Sequence, residues 1–293
     1  MKKKKLNLSQ VLENLICFGP SIGIYTMFFM VPMILGLFYS LTDWDAVGKF
    51  NIVGLSNYSK LLFQDPVFLQ SLGRTFWFAI ISVTLTTIIA MLCAIGLTSK
   101  FKANNLIRTI IFFPNLISMV ITGFIWNFLF TKVSSGIYTS TGIEAFNISW
   151  IGDVKYVMWA VVIVSIWSGM GYYMTIYIAG LLGIDGSFIE AAKIDGASDW
   201  HVFWRIKMPL MLPVVSVGAF MNIAFCMKVF DIIFSLSKGG PGNSSEVAMI
   251  NVYREAFVYN NFGYGSAKAI FFACIIILFS FIQQRVSNSM EVD

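Results

Sequence analysis

Six apolar runs divide this chain, and they constrain its fold more than any other feature. They read as helices over roughly 15–41, 76–98, 107–130, 158–183, 212–236 and 265–284. Each is long enough to cross about 30 Å of hydrocarbon, for which about 20 helical residues suffice. In lipid a backbone must satisfy its own polar groups, and a helix does so within one segment. Composition agrees: the chain is 57% hydrophobic and 12% charged, where soluble domains carry about 25% charge. Pro20, Pro32 and Pro114 interrupt two of the runs, which membrane helices tolerate when neighbours re-satisfy the freed carbonyls. The expected fold is an all-α polytopic membrane protein with six transmembrane helices.

Charge sets the orientation. With the N-terminus inside, eleven lysines and arginines fall on the cytoplasmic side: Lys2, Lys3, Lys4, Lys5, Lys100, Lys102, Arg108, Lys193, Arg205, Lys207 and Arg285. Seven fall outside, namely Lys49, Lys60, Arg74, Lys132, Lys155, Lys238 and Arg254, although the outer loops are longer in total. The positive-inside rule then places both termini in the cytoplasm, as an even number of spans requires. The expected organisation is a basic N-terminus over 1–14, a transmembrane domain over 15–284 with a cytoplasmic loop at 184–211, and a tail over 285–293. The first run is too long for a cleaved signal peptide and reads as a retained anchor. No second basic patch joins the lysine run, so nucleic acid is not an expected partner.

Chemistry is scarce. Cys17, Cys93, Cys226 and Cys274 all sit inside apolar runs and read as small buried hydrophobes. A single histidine, His201, excludes a histidine-rich metal site. The sequence contains neither a G-x-x-x-x-G-K-[ST] phosphate loop nor a catalytic cluster, so the chain is expected to be no enzyme and to hold no cofactor or metal.

One internal segment has a design. Between the fourth and fifth runs, Gly183 to Pro209 is the longest and most polar cytoplasmic stretch. Phe188, Ala191 and Ala192 share a face at i, i+3, i+4 spacing. Asp195-Gly196 supplies a turn with a glycine free to take positive φ. Ser198 can cap a second helix, with Trp200, Phe203 and Trp204 on its apolar side and His201 and Arg205 on its polar side. Pro209 and Pro213 are expected to end that helix and bend the chain into the bilayer. Two readings fit: a connector lying in the lipid interface, or a surface for a protein partner. The mixed charges of Glu190, Lys193 and Asp199 are less cationic than a membrane-binding face needs, which favours the partner.

The spacing then becomes specific. Glu190-Ala191-Ala192, three residues, Gly196, nine residues, Ile206, one residue, Met208-Pro209 resembles the EAA loop of ABC importer permeases, which usually have leucine where Met208 stands. Further stretches resemble the binding-protein-dependent sugar permeases of the maltose, multiple-sugar and glycerol-phosphate type. They are Ser40-Leu-Thr-Asp-Trp44, Val53-Gly-Leu-Ser-Asn-Tyr58, Phe113-Pro114 with Trp126, Lys228-Val-Phe-Asp231, Lys238-Gly-Gly-Pro241 and Phe262-Gly-Tyr-Gly-Ser-Ala267. The resemblance implies a type I importer permease fold in the cytoplasmic (inner) membrane of a prokaryote. It implies import of a mono- or oligosaccharide, or a related polyol or sugar phosphate. It also implies a second homologous permease subunit, an ABC ATPase dimer that binds ATP and Mg, and an extracellular or periplasmic solute-binding protein. Carried onto this chain, Glu190 would meet a basic or donor group of the ATPase and Gly196 would set the bend. Trp200, Phe203 and Trp204 would hold the second helix against the permease core.

Polar residues within spans mark a candidate path, because they are costly unless they face protein or water. Asn115, Ser118, Thr122 and Trp126 form a stripe on the third span, and Ser165, Ser168, Tyr172 and Tyr173 a similar one on the fourth. The fifth carries Asn222, then Lys228 and Asp231 three apart on one face, a spacing that also fits an internal salt bridge. The stripes equally fit helix–helix packing. The alternatives are an importer of a non-sugar solute and an ion-coupled secondary transporter. The latter calls for paired repeats and mid-membrane carboxylates, whereas the expected spans hold Asp231 alone.

Overall fold

The computed structural model describes residues 8–98 and 104–288, and the chain is helical almost throughout them. The Lys2–Lys5 run, Lys100, Lys102 and residues 289–293 lie outside that description. The first span is α1 (Leu8–Tyr25) and α2 (Val31–Tyr39), joined by a π turn at Thr26–Met30. An outer segment with α3 (Ser56–Phe63) leads to α4 (Pro66–Thr98). Next come α5 (Asn104–Phe112), a 3-10 turn at Phe113–Leu116, α6 (Met119–Phe128), a π turn, and α7 (Ser134–Thr141). The long α8 (Val157–Leu182) precedes the cytoplasmic α9 (Gly186–Ile194) and α10 (Asp199–Val202). A π turn at Phe203–Lys207 carries α10 into α11 (Met208–Met227). Short α12 (Asp231–Leu236) and α13 (Ala248–Tyr253) precede α14 (Phe262–Asn288).

Among the described residues, six stretches are long and apolar enough to cross a membrane: Ile16–Tyr39, Pro66–Thr98, Met119–Thr141, Val157–Leu182, Asp199–Met227 and Phe262–Arg285. Number and order agree with expectation, but three boundaries move. The second span starts ten residues early, at Pro66, because proline suits a helix's first turn. The third is not one helix over 107–130. Pro114 sits in the 3-10 turn, Ile117 (ψ 136°) and Ser118 (ψ 135°) are extended, and a new helix runs from Met119 to Thr141. The fifth spans Asp199–Met227 rather than 212–236.

Nor do Pro209 and Pro213 end the helix that α10 opens. The Met208 N–H bonds back to the Phe203 carbonyl, five residues away, and the helix continues with Pro213 inside it. Pro32 follows the same device, after a Val31 N–H bond to the Thr26 carbonyl. Proline would clash with the carbonyl four residues back. In both places that carbonyl lies within a widened turn, so the helix bends without breaking.

The chain forms two compact units. One comprises the described residues up to Asp65 with Val252–Ala273. No residue of its first span is buried. Its outer segment is tied down by Asn57, whose Nδ2 donates to the carbonyls of Ser40 (2.9 Å) and Thr42 (2.8 Å), and by Tyr58, whose hydroxyl donates to Ser40 Oγ at 2.8 Å. On α14, Lys268 is 1% exposed. Its ammonium lies 2.8 Å from Asp65 Oδ2 and 2.7 Å from Glu255 Oε2, and Tyr264 donates to Asp65 at 2.8 Å.

The other unit comprises Pro66–Asn251 and the chain from Cys274 onward. Its centre is α8 packed along α4, with Ala90, Ala94, Met174, Tyr177 and Met211 fully buried together. Small residues allow the close approach, since lipid supplies no hydrophobic drive between helices. A Cβ on Gly171 would strike the backbone of Ile111 and Phe112 in α5, and one on Gly218 would strike the Tyr177 ring. At the inner end of α4, Asn104 Nδ2 (3.0 Å) and Arg108 Nη2 (2.7 Å) both donate to the Leu97 carbonyl. They satisfy an orphan acceptor of the helix end with a favourable charge.

Candidate functional site: a docking loop and a polar hollow

The candidate docking loop is built by local capping. Asp185 accepts the Ser187 N–H at 2.9 Å and starts α9; that bond holds its carboxyl below the usual carboxylate range. Gly196, at φ +80°, ends the helix. Its N–H bonds the Lys193 carbonyl at 3.1 Å, and the Ala197 N–H reaches the Ala192 carbonyl at 2.9 Å. That pair of bonds is a Schellman motif, which needs a left-handed residue after the helix, normally glycine. Ser198 then accepts the His201 N–H at 3.3 Å and starts α10. The expected turn and cap are both present.

The faces differ from expectation. Phe188 and Ala191 are exposed, and Ile189 and Ala192 turn inward instead. Trp200 is 72% exposed and Trp204 is also exposed, so neither anchors α10; Val202, at 2%, does. The aromatic rings meet each other edge to face, Trp200 with Trp204 at 5.5 Å and Phe203 with Trp204 at 5.1 Å. A groove of ≈ 750 Å³ lies between these rings and Ile88, Leu92 and Ile95 of α4. Phe203 and Ile206 are half-buried, and Pro209 is exposed. Glu190 is exposed and has no hydrogen bond or ion pair among the described residues. Lys193 and Asp199 face each other across the turn at 3.5 Å with both side chains well exposed, a pairing that contributes little. The loop therefore presents Phe188, Ile194, Trp200 and an unpaired Glu190 outward.

Five expected path residues meet, Ser165 among them. Asn115, Tyr172, Tyr173 and Asn222 line a hollow of ≈ 290 Å³ with Thr86, Ser165, Gly169 and Phe225. Asn222 is 4% exposed, accepts the Cys226 thiol at 3.4 Å, and leaves its Nδ2 without a partner. Burying an unpaired amide N–H is costly. An adjoining hollow of ≈ 360 Å³ shares Met119, Met221 and Phe225 and holds Lys228 and Asp231.

The remaining candidates are scattered. Ser118 is exposed at the break after Pro114, so the third-span stripe does not exist as one helical face. Thr122 is buried on α6, Trp126 meets Trp167 edge to face at 5.5 Å, and Ser168 donates to the Ser165 carbonyl at 3.1 Å. Lys228 and Asp231 are not one turn apart. The helix ends at Met227, Phe230 takes φ −139°, and Asp231 opens α12; both residues are exposed and no ion pair joins them. The reason lies in α12, which lies close enough to α6 for a Cβ on Gly123 to strike Ser235. Asn127 Nδ2 donates to the Leu236 carbonyl at 2.6 Å. Thr86, Val202, Asn127 and Lys268 escaped the sequence reading. Thr86, Asn127 and Lys268 each had a signal, a polar or charged residue inside an apolar run; Val202 had none.

Comparison with known proteins identifies the family. Residues 86–292 match the family described as "Binding-protein-dependent transport system inner membrane component". The chain is 36% identical over 264 residues to a probable starch degradation products transport system permease protein of Thermoanaerobacterium thermosulfurigenes, covering 90% of each. It is 31% identical to a multiple sugar-binding transport system permease protein of Streptococcus mutans, covering 91% of this chain and 92% of the relative. Its fold is similar to a chain of a bacterial ABC transporter involved in importing the acidic polysaccharide alginate. That match has a TM-score of 0.84 and 19% identity over 97% of this chain and 99% of the other. The chain thus belongs to the binding-protein-dependent inner membrane components, the permease subunits of ABC importers.

Proposed function

We propose that this permease passes a carbohydrate through the hollow lined by Asn115, Tyr172, Tyr173 and Asn222. The unpartnered Nδ2 of buried Asn222 carries the reading. It is an unused donor on a residue that lines a space of sugar-ring size together with two tyrosines, residues whose rings and hydroxyls suit a sugar. The names of the relatives, which handle starch degradation products and multiple sugars, support it. Exposed, unpaired Lys228 in the adjoining hollow favours a sugar phosphate as second reading.

In this reading the Gly186–Val202 loop seats in a separate ATPase, which binds ATP and Mg. Glu190 meets a basic or donor group there, and the exposed aromatics fill an apolar pocket. The first span, with no buried residue, packs on a second homologous permease subunit. A solute-binding protein delivers the cargo from outside, and hydrolysis alternates exposure of the hollow.

The test is solute uptake and solute-stimulated ATP hydrolysis by the reconstituted importer. Asn222→Ala should lower uptake roughly tenfold, the scale of one lost buried hydrogen bond, with unstimulated hydrolysis unchanged. Uptake equal to wild type in that variant would sink the assignment of the hollow. Ligand-induced thermal shifts of the companion binding protein, with sugars, sugar phosphates and amino acids in parallel, would identify the solute class. A shift with amino acids alone would remove the carbohydrate.

A further inference from the structure

At the outer ends of α4 and α8 lies a third hollow, of ≈ 430 Å³, walled by Gln70, Arg74, Trp77, Lys155 and Trp159. It carries two cations and no carboxylate. Arg74 uses Nη2 to hold Gln70 Oε1 at 3.2 Å, while its Nη1 is shielded from solvent and has no hydrogen-bond partner. Neither Arg74 nor Lys155 enters an ion pair among the described residues. The nearby Asp153 carboxylate accepts the backbone N–H of Lys155 at 2.8 Å and leaves the ammonium free. Trp77 and Trp159 meet edge to face at 5.2 Å.

The position of this hollow is as telling as its lining. Trp77 and Thr86 are nine residues apart on α4, two and a half turns at ~3.6 residues per turn. The hollow therefore lies on the side of α4 opposite the Thr86 face that lines the polar path. Trp77 and Ile80, on its own side, are exposed. Tryptophans at this level belong to the headgroup belt. A cation in a span that faces away from the path needs a partner from elsewhere.

We propose that this hollow binds the phosphate of an anionic phospholipid in the outer leaflet. Half-buried Arg74 turns its side chain to bring the unused Nη1 to the phosphate oxygens, a pairing that guanidinium matches well. Lys155 adds a second charge from the mouth, and the tryptophan pair lies against the glycerol and the first acyl carbons. The bound phosphate ends the isolation of a buried donor and neutralises a cation inside an apolar span.

The test is native mass spectrometry of the importer, with this full chain co-expressed with its partner subunits, purified and given equal amounts of phosphatidylglycerol and phosphatidylcholine. Wild type should retain phosphatidylglycerol in preference. Lys155→Gln changes an exposed side chain and leaves folding intact; retention should fall about fivefold, the equivalent of about 1 kcal/mol per cation near the surface. Adding Arg74→Gln should lower it by about the same factor again, and Lys132→Gln, another exposed outer cation, should leave it unchanged. Equal retention of the two lipids overturns the proposal, and is the result expected if a companion subunit covers the hollow. Unchanged retention in Lys155→Gln, or displacement of the lipid by millimolar inorganic phosphate, overturns it as well.

Discussion

Gly196 shows how much one residue can decide. Its φ of +80° completes the Schellman motif, and no atom lies near a Cβ built there. The requirement is conformational and has nothing to do with space. Gly196→Val should therefore cost about 1–2 kcal/mol of local backbone energy, leave the spans folded, and reduce the ATPase recovered with the permease on affinity purification. Recovery equal to wild type would remove this turn from the docking surface. Asp185 makes a pH prediction. Its Ser187 hydrogen bond lowers the folded carboxyl pKa from the ordinary 3.8. The contribution to α9 is thus present above that ordinary value and lost as pH falls through the lowered one. Asp185→Asn should make loop proteolysis insensitive to pH in that acid window, whereas wild type should become more readily cleaved. Gly196 was legible in the sequence because a turn depends on neighbours within four positions, whereas the Asp185 cap, equally local, emerged only with the structure.

Helices were legible in number and less so at their ends. The proline-marked bends are a case in point: Pro32 and Pro209 stand in the sequence as breakers, yet each follows a π turn and the helix runs on. The opposite error occurs at Met227, where α11 stops although no glycine or proline follows it before Asp231. Contact between α12 and α6, through Gly123 and Asn127, decides that stop. The same close packing yields a prediction at Gly171, where an added Cβ would meet the backbone of α5. Gly171→Ala should destabilise by about 1–3 kcal/mol, read as a fall in thermal midpoint in detergent. Gly136→Ala, with open space at its Cβ, should change it little. Equal midpoints for both variants would show that α5 yields without cost.

On the scale of the whole molecule, buried charge separates residues that hold the fold from those that face partners. Lys268 is enclosed by Asp65 and Glu255, contributed by segments far apart in the chain. Lys268→Met would remove the cation that the two carboxylates share, and breaking a buried pair this way costs about 3–5 kcal/mol. Its thermal midpoint should fall well below that of Lys193→Ala, whose exposed pairing with Asp199 contributes little. The sequence by itself determined that the chain carries six spans long and apolar enough to cross a membrane, and where the Gly196 turn lies. Those properties rest on apolar length and short-range spacing, both of which act along the chain. Only the tertiary structure decided that Asn115, Tyr172, Tyr173 and Asn222 share a hollow, that Lys228 and Asp231 stay apart, and that Val202 anchors the loop. Each of those outcomes depends on which helix faces come together, and side-chain shape and backbone approach between distant segments settle that.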